Sequence, residues 1–253
     1  MPTIHTDLPA VVLDCQDYGE SDKIITFFCE DIGKLSGIAK GAHRSKKRFV
    51  NKLELFSFLL ITYSRSTPGS LAVINDADLI NSFITIRSSQ SRYQAASVLR
   101  EFILLATSEQ LGDDNLLKLI LWALHAIDKG SKHEIVIVQF LVKLFDCIGY
   151  RPDFSQCQGC GAIYKKKASA VFSPQASGLI CASCISGGGY SGRQLSPGTI
   201  QMIAATQHQS LDKLSRVKLS DVLLREALDS LYRYSRYIFH RDIQSWKTFL
   251  GGQ

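Results

Sequence analysis

The sequence lacks the features of a secreted or membrane-spanning chain. No apolar run approaches the roughly 18 residues needed to cross a bilayer, and the longest candidate, 135–145, is interrupted by Gln139 and Lys143. The first residues have neither the basic start nor the apolar core of a signal peptide. Seven cysteines, an odd number, are not typical of a disulfide framework. We therefore expect a cytoplasmic protein with no membrane partner.

The motifs of several common active sites are also missing. The sequence contains no GxxxxGK[ST], HExxH or GxSxG pattern, and none of its six histidines has metal-binding spacing to another. Residues 187–192 match GxGxxG, but no predicted strand precedes them, so we interpret them as a flexible linker rather than a dinucleotide-binding loop. We expect no enzymatic activity and no small-molecule substrate.

Short extended segments dominate the first third of the chain. Residues 9–80 contain five runs rich in Val, Ile, Phe and Thr, separated by turn signals. Five strands in about 75 residues favour a small closed barrel, such as an OB-fold, over an open sheet with exposed edges. We therefore predict an OB-fold nucleic-acid-binding domain at residues 1–80.

The remainder, residues 81–253, has helical periodicity. Apolar residues recur at steps of three and four after residue 85, and 135–148 is apolar nearly all round, which predicts a buried central helix. Ser196-Pro197 is typical of a helix start, and the apolar seam from Leu224 to Ile238 predicts a long final helix. The predicted fold class is thus α+β: a barrel followed by an α-helical bundle with an inserted cysteine knuckle.

The knuckle is the strongest local motif. Two CxxC pairs are separated by twenty residues, within a predicted insertion at about 154–190. Four thiolates close the coordination sphere of a tetrahedral metal, so the spacing predicts a structural zinc site, with an iron–sulfur centre or metal-free thiols as alternatives. Since 157–190 has little apolar surface, we expect the metal to order it. The predicted ligands are Cys157, Cys160, Cys181 and Cys184. We expect Cys15, Cys29 and Cys147 to be small buried hydrophobes.

A basic run lies between predicted strands of the barrel. Residues 34–52 contain seven Lys and Arg residues and no Asp or Glu, so the positive charge of this segment alone exceeds the net charge of +6 for the whole chain. Holding like charges together is unfavourable unless a polyanion binds them, so the run favours nucleic-acid backbone over a merely solvated face. Phe49 is its one candidate for base stacking. The predicted DNA-binding residues are Lys34, Lys40, His43, Arg44, Lys46, Lys47, Arg48 and Lys52.

Weaker basic groups occur in the second half. Lys165–Lys167 lies between the cysteine pairs and serves binding or solubility equally well. The final predicted helix carries further cations off its apolar seam, which extend a binding surface or simply solvate the helix: Arg225, Arg233, Arg236, Arg241 and Lys247.

Several segments together resemble the bacterial recombination mediator RecO family. These are DYGESDKIITFF, GKLSGIAKGAHRSKKRF, GYRPDFSQCQGCG, FSPQASGLICASC and RQLSP. The resemblance covers nearly the whole chain. It implies an OB-fold, a helical bundle and a zinc knuckle, although some members lack the cysteines, which implies that the metal does not carry the family's activity.

The resemblance also implies a function and partners. Members bind single- and double-stranded DNA, anneal complementary strands, partner RecR, engage the C-terminal tail of single-strand-binding protein and help load RecA recombinase during recombinational repair of DNA damage. It implies a bacterial cytoplasmic protein associated with the nucleoid when DNA-bound. For the tail we consider the region of Arg87, Arg92 and Arg100. From the residues alone, an RNA-binding factor and a zinc or thiol enzyme stay open.

Overall fold

The computed structural model describes residues 3–67, 69–109, 112–165, 168–216 and 220–251. The chain divides into two compact units, residues 1–128 and 129–253. Among the helices of the described ranges, none is long and apolar enough to cross a membrane.

A closed five-stranded barrel forms the first part of unit 1. Its strands are ordered β1-β2-β3-β5-β4, and β1 pairs with both β2 and β4. The β3/β5 pair is parallel, and the other pairs in the barrel are antiparallel. The strands are β1 (Thr3–Tyr18), β2 (Asp22–Cys29), β3 (Gly33–Ala39), β4 (Phe58–Arg65) and β5 (Ala72–Asn81).

The barrel has apolar residues on both faces of its first strand. Ala10 and Val12 belong to the buried cluster that also contains Phe27, because successive strand residues point to opposite faces. Val11 and Leu13 are buried as well, and they line a small void with residues of the following helices. A strand buried on both faces shows no polar alternation, as the run PAVVLDC illustrates.

Three helices belong to the same compact unit as the barrel. Their contacts explain this: the Arg87 guanidinium donates to the Leu55 carbonyl at 3.1 Å, and the rings of Phe56 and Tyr93 meet edge to face at 5.7 Å. The predicted boundary at residue 80 marks the end of the barrel strands, whereas the compact units divide after Asp128. The helices are α1 (Ile84–Arg87), α2 (Gln90–Ala106) and α3 (Asp114–Asp128).

Unit 2 combines helices with a small four-stranded sheet of order β6-β8-β7-β9. Its strands are β6 (Asp153–Cys157), β7 (Ala170–Ser173), β8 (Gly178–Ile180) and β9 (Arg193–Leu195). Its helices are α4 (His133–Cys147), α5 (Ala182–Ser186), α6 (Pro197–His208), α7 (Asp221–Phe239) and α8 (Gln244–Gly251).

The predicted helices of unit 2 are present. Residues 136–142 of α4 are all buried, as its apolar composition indicates. Ser196 is the N-cap of α6 and accepts a hydrogen bond from the Thr199 amide at 3.3 Å. The long helix α7 is not the last, because α8 follows it after a turn at His240, whose backbone is left-handed with φ 52°.

The inserted sheet has more apolar packing than its sequence suggests. Phe172 and Leu179 are buried. The Phe172 ring lies 5.3 Å from both Phe154 and Tyr234, and the Tyr234 hydroxyl donates to the Tyr150 carbonyl at 2.8 Å. Part of this packing comes from outside residues 157–190, since Phe154 belongs to β6 and Tyr234 to α7, so the expectation that the segment needs the metal to become ordered stays a prediction.

Candidate nucleic-acid interface and metal centre

Residues 40–48, the basic turn, follow β3 directly. Gly41 has φ 67°, a left-handed conformation that suits glycine, and it precedes a short 3-10 turn at Ala42–Arg44. The Gly41 amide donates to Oδ1 of Asp22 at 2.8 Å, and the His43 amide donates to the Ser21 carbonyl at 3.0 Å. The β1–β2 hairpin thus fixes the start of the basic turn.

The Asp22 carboxylate is stabilised in its charged form. The amide of Gly41 and the hydroxyl of Ser21 hydrogen-bond to it, and they hold the pKa of Asp22 below its usual value. Asp22 therefore acts as a charged anchor for the turn at neutral pH, and its oxygen positions the backbone that presents the cations.

Three predicted contacts face solvent without partners. Lys40, Lys46 and Lys47 are exposed, and their side chains make no hydrogen bond or ion pair with any residue that the structure describes. The ammonium groups of Lys46 and Lys47 retain their full charge for an external anion, whereas the nearby Asp22 carboxylate offsets part of the Lys40 charge. These lysines are consequently the strongest candidates for phosphate contact within the basic turn.

Other cations of the turn have partners within the protein. Arg48 donates to the carbonyl of Asn75 at 3.2 Å and lies with its guanidinium 5.0 Å from the Phe49 ring centroid. His43 Nε2 lies 2.9 Å from Asp17, and Arg44 lies 3.8 Å from Glu20 with both side chains largely exposed. Neutral carbonyls leave the charge of Arg48 intact, whereas the carboxylates offset part of the positive field.

The sequence did not predict that the carboxylates of Asp17 and Glu20 lie beside the basic turn. The run 34–52 has no acid of its own, but the hairpin turn that packs on it brings Asp17 and Glu20 close. The acidic character of DYGESD was the available signal, and the distance between the two segments in the chain concealed it.

The two ends of the predicted run differ from its middle. Lys34 is half-buried and donates to the Thr107 carbonyl at 3.1 Å. Lys52 donates to the Ala77 carbonyl and lies 3.5 Å from Asp78, with its side chain 20% exposed. Both ammonium groups thus hold the barrel to neighbouring segments, which makes them weaker candidates for DNA contact than the lysines of the turn.

Phe49 does not offer a stacking surface. Its side chain is 4% exposed and belongs to the core cluster of the barrel. The one stacking candidate of the run is therefore excluded, because a ring in the core cannot reach an external base.

The four predicted metal ligands come together in unit 2. The sulfur atoms of Cys157, Cys160, Cys181 and Cys184 all lie within 4.8 Å of one another. The Sγ atoms of Cys160 and Cys181 are 3.8 Å apart, and four thiolates at about 2.3 Å from one tetrahedral ion would be separated by about 3.8 Å. The donor set and its spacing therefore fit one tetrahedral metal ion.

The backbone of the cluster favours a thiolate. Burial alone would raise the pKa of Cys157, but the amides of Cys181, Cys160 and Gly159 point at its sulfur and lower that pKa to about 6. Hydrogen bonds with the thiols of Cys181 and Cys160 raise the pKa of Cys184 to about 12. Gly161, with φ 73°, closes the first knuckle.

The remaining predicted groups have different environments. Cys29 is buried as expected, whereas Cys15 and Cys147 are only half-buried. Lys165 is exposed, and Lys166 and Lys167 lie outside the described residues. Residues 187–192 form the loop between α5 and β9, where the space beside Gly192 is filled by the Phe172 carbonyl.

Arginines considered for the tail of single-strand-binding protein have internal partners. Arg87 donates to the Ser82 carbonyl at 2.7 Å, and Arg92 donates to the Asp128 carbonyl at 3.1 Å. Arg100 pairs with Asp14. These guanidinium groups stabilise unit 1 and are poorly placed to receive an acidic peptide.

Comparison with known proteins covers nearly the whole chain. The family model described as recombination protein O N terminal matches residues 1–83, and the one described as recombination protein O C terminal matches residues 87–247. The chain belongs to the recombination protein O family.

Curated relatives of this family match over nearly their full length. DNA repair protein RecO of Syntrophus aciditrophicus is 30% identical over 94% of this chain and 92% of its own. DNA repair protein RecO of Bacillus pumilus is 28% identical over 96% of both chains. The same-named protein of Desulfitobacterium hafniense strain Y51 is 27% identical over 97% of this chain and 89% of its own.

Proposed function

We propose that this chain is a DNA-binding protein of recombinational DNA repair that anneals complementary strands. It helps load RecA recombinase onto single-stranded DNA coated with single-strand-binding protein. The observation that carries the proposal is the group of three unpaired lysines, Lys40, Lys46 and Lys47, on a turn of the barrel. Membership of the recombination protein O family and the names of its relatives support the same reading.

We interpret the five-stranded barrel as an OB-fold. It presents cations in the basic turn, and this turn has no Phe, Tyr or Trp ring on which a base could stack. The charges attract phosphates whatever the sequence, because each phosphate contact releases counterions from the polyanion. Screening of phosphate charge lets two strands approach, and base pairing then supplies specificity and driving force. Annealing of this kind needs no catalytic residue.

The metal centre serves the fold of unit 2 in this proposal. The four cysteines would hold Zn²⁺, which supplies a closed structural cross-link with no open coordination position. The ligands come from β6, the turn that follows it, and the start of α5. An ion bound to them would therefore cross-link the inserted sheet to the turns beside it. DNA binding is assigned to the basic turn rather than to the ion.

Two protein partners belong to the proposal, RecR and the C-terminal tail of single-strand-binding protein. Both follow from the family resemblance, and together with DNA they make the chain an adaptor between a coated strand and the recombinase. Association with the bacterial nucleoid would follow from DNA binding.

Strand annealing under protein coating tests the function. Complementary labelled oligonucleotides are coated with single-strand-binding protein, and duplex formation is followed by energy transfer with and without this chain. We expect a clear acceleration that is lost at high salt. An RNA pair of equal length is the matched control, and acceleration restricted to RNA, or none at all, would reject the proposed function.

A further inference from the structure

A second basic surface lies in unit 2. An open groove of about 1030 Å³ lies between the inserted sheet and the C-terminal end of α7. Arg233, Arg236 and Tyr237 contribute from α7, and their spacing of three and four residues from Arg233 places them on one helix face. His240 contributes from the turn that follows α7. Arg193 contributes from β9, at the edge of the sheet. The sequence points to the helical arginines but not to Arg193.

The cations of the groove exceed their carboxylate partners. Asp229 is shared by Arg193 at 2.9 Å and Arg233 at 3.1 Å. Asp242 is likewise shared by Arg236 at 2.7 Å and Lys247 at 3.2 Å. Lys247 lies outside the groove lining, so the lining residues Arg193, Arg233 and Arg236 exceed the two carboxylates by one charge, and Glu226 offsets part of the Arg193 charge.

Arg241 adds a second uncompensated charge. It lines the groove, its side chain is exposed, and it makes no ion pair or hydrogen bond within the described part of the chain. The C-terminal end of α7 carries partial negative charge, which offsets only a fraction of this excess. Such a concentration of positive charge attracts an external anion.

The chemistry of the groove indicates which anion. Its lining cations are arginines, whose planar guanidinium groups bind phosphate through paired hydrogen bonds and stack on rings. Tyr237 is 40% exposed in the same groove, with its ring 6.2 Å from the His240 ring. Arginines beside an exposed aromatic ring are typical of single-strand binding, in which phosphates meet cations and bases stack.

We propose that this groove binds single-stranded nucleic acid as a second strand site, separate from the basic turn. The inference rests on the proposed function, since a chain that anneals DNA gains from holding a strand on each of its two units. An open groove suits a polymer that enters and leaves at its ends better than an enclosed pocket would. Tyr237 would stack on a base, and Arg241 and Arg233 would contact phosphates.

The test compares three double variants by fluorescence anisotropy with a labelled single-stranded oligonucleotide over a salt series. Arg233→Ala/Arg241→Ala alters the groove, and Arg193 remains to pair with Asp229. The charge-matched control is Lys129→Ala/Arg225→Ala, in unit 2 but outside the groove. Lys46→Ala/Lys47→Ala alters the basic turn. Circular dichroism verifies that each variant is folded.

We expect the groove variant to flatten the plot of log affinity against log salt by about 1.4, which is about 0.7 for each lost phosphate contact. The control should keep the wild-type slope. A groove variant that behaves like the control overturns the second site and leaves the proposed function standing. An unchanged slope in the basic-turn variant would instead reject the turn, whatever the groove variant does.

Stacking is tested separately. Tyr237→Leu should weaken binding of an ordinary oligonucleotide about tenfold, and it should leave binding of an abasic strand of equal length nearly unchanged. Equal losses on both strands, or none on either, would contradict stacking. An Asp- and Glu-rich peptide that binds the groove more tightly than the oligonucleotide would assign it to a protein partner and overturn the proposal.

Discussion

Removal of the three unpaired lysines gives the sharpest test of the basic turn. The structure narrows the predicted contacts to Lys40, Lys46 and Lys47, because Lys34 and Lys52 donate to carbonyl oxygens of the protein itself. The triple alanine variant should therefore lose three phosphate contacts. The double variant Lys34→Ala/Lys52→Ala should lose few phosphate contacts or none, although its free energy of unfolding should fall.

The magnitude follows from counterion release. Three contacts correspond to a slope change of about 2.1 on single-stranded DNA and about 2.7 on duplex. Over a fourfold rise in salt, the wild type should lose about 20-fold more affinity for a single strand than the triple variant does.

Anisotropy titrations at several salt concentrations measure both slopes. The lysines are exposed, so the triple variant should unfold at the same denaturant concentration as the wild type. A triple variant with the wild-type slope would refute the assignment, as would a Lys34/Lys52 variant whose slope flattens equally.

Three further predictions concern the supports of the two sites. Cys160→Ser should remove one thiolate from the metal, reduce the sulfur-to-cobalt charge-transfer absorption of a cobalt-loaded sample and lower the melting temperature. Gly41→Ala should destabilise the protein by about 1 kcal/mol in urea titrations, because its φ of 67° disfavours a side chain. The folded pKa of Asp22 is lowered, so its contribution to stability is present above its unfolded pKa and lost as the pH falls through the folded value. Asp22→Asn should reduce that acid-side dependence.

Each of these three predictions has a control or an outcome that would contradict it. Cys29→Ser lies outside the metal cluster, and cobalt absorption as intense in Cys160→Ser as in Cys29→Ser would exclude Cys160 as a ligand. For Gly41, an alanine variant as stable as the wild type would show that the turn relaxes without strain. Urea titrations between pH 3 and pH 7 that show the same dependence for Asp22→Asn and wild type would remove Asp22 as the anchor.

Local patterns in the sequence determined much of this protein. The five strands, the buried helix α4 and the start of α6 at Ser196 follow from side-chain periodicity and capping chemistry, which depend on neighbours a few residues apart. The four cysteines could be read as one metal centre for a similar reason, since each CxxC pair is a local turn with a fixed chemical preference.

Only the tertiary structure decided what lies beside these local elements. It placed Phe49 in the barrel core, brought Asp17 to His43 and set Arg193 beside α7 through Asp229. The carboxylate partners of His43 and Arg193 are distant from them in the sequence, and the core around Phe49 is built from strands elsewhere in the chain. Charge and burial depend on all atoms near a side chain, and a linear pattern records only those that are close along the chain.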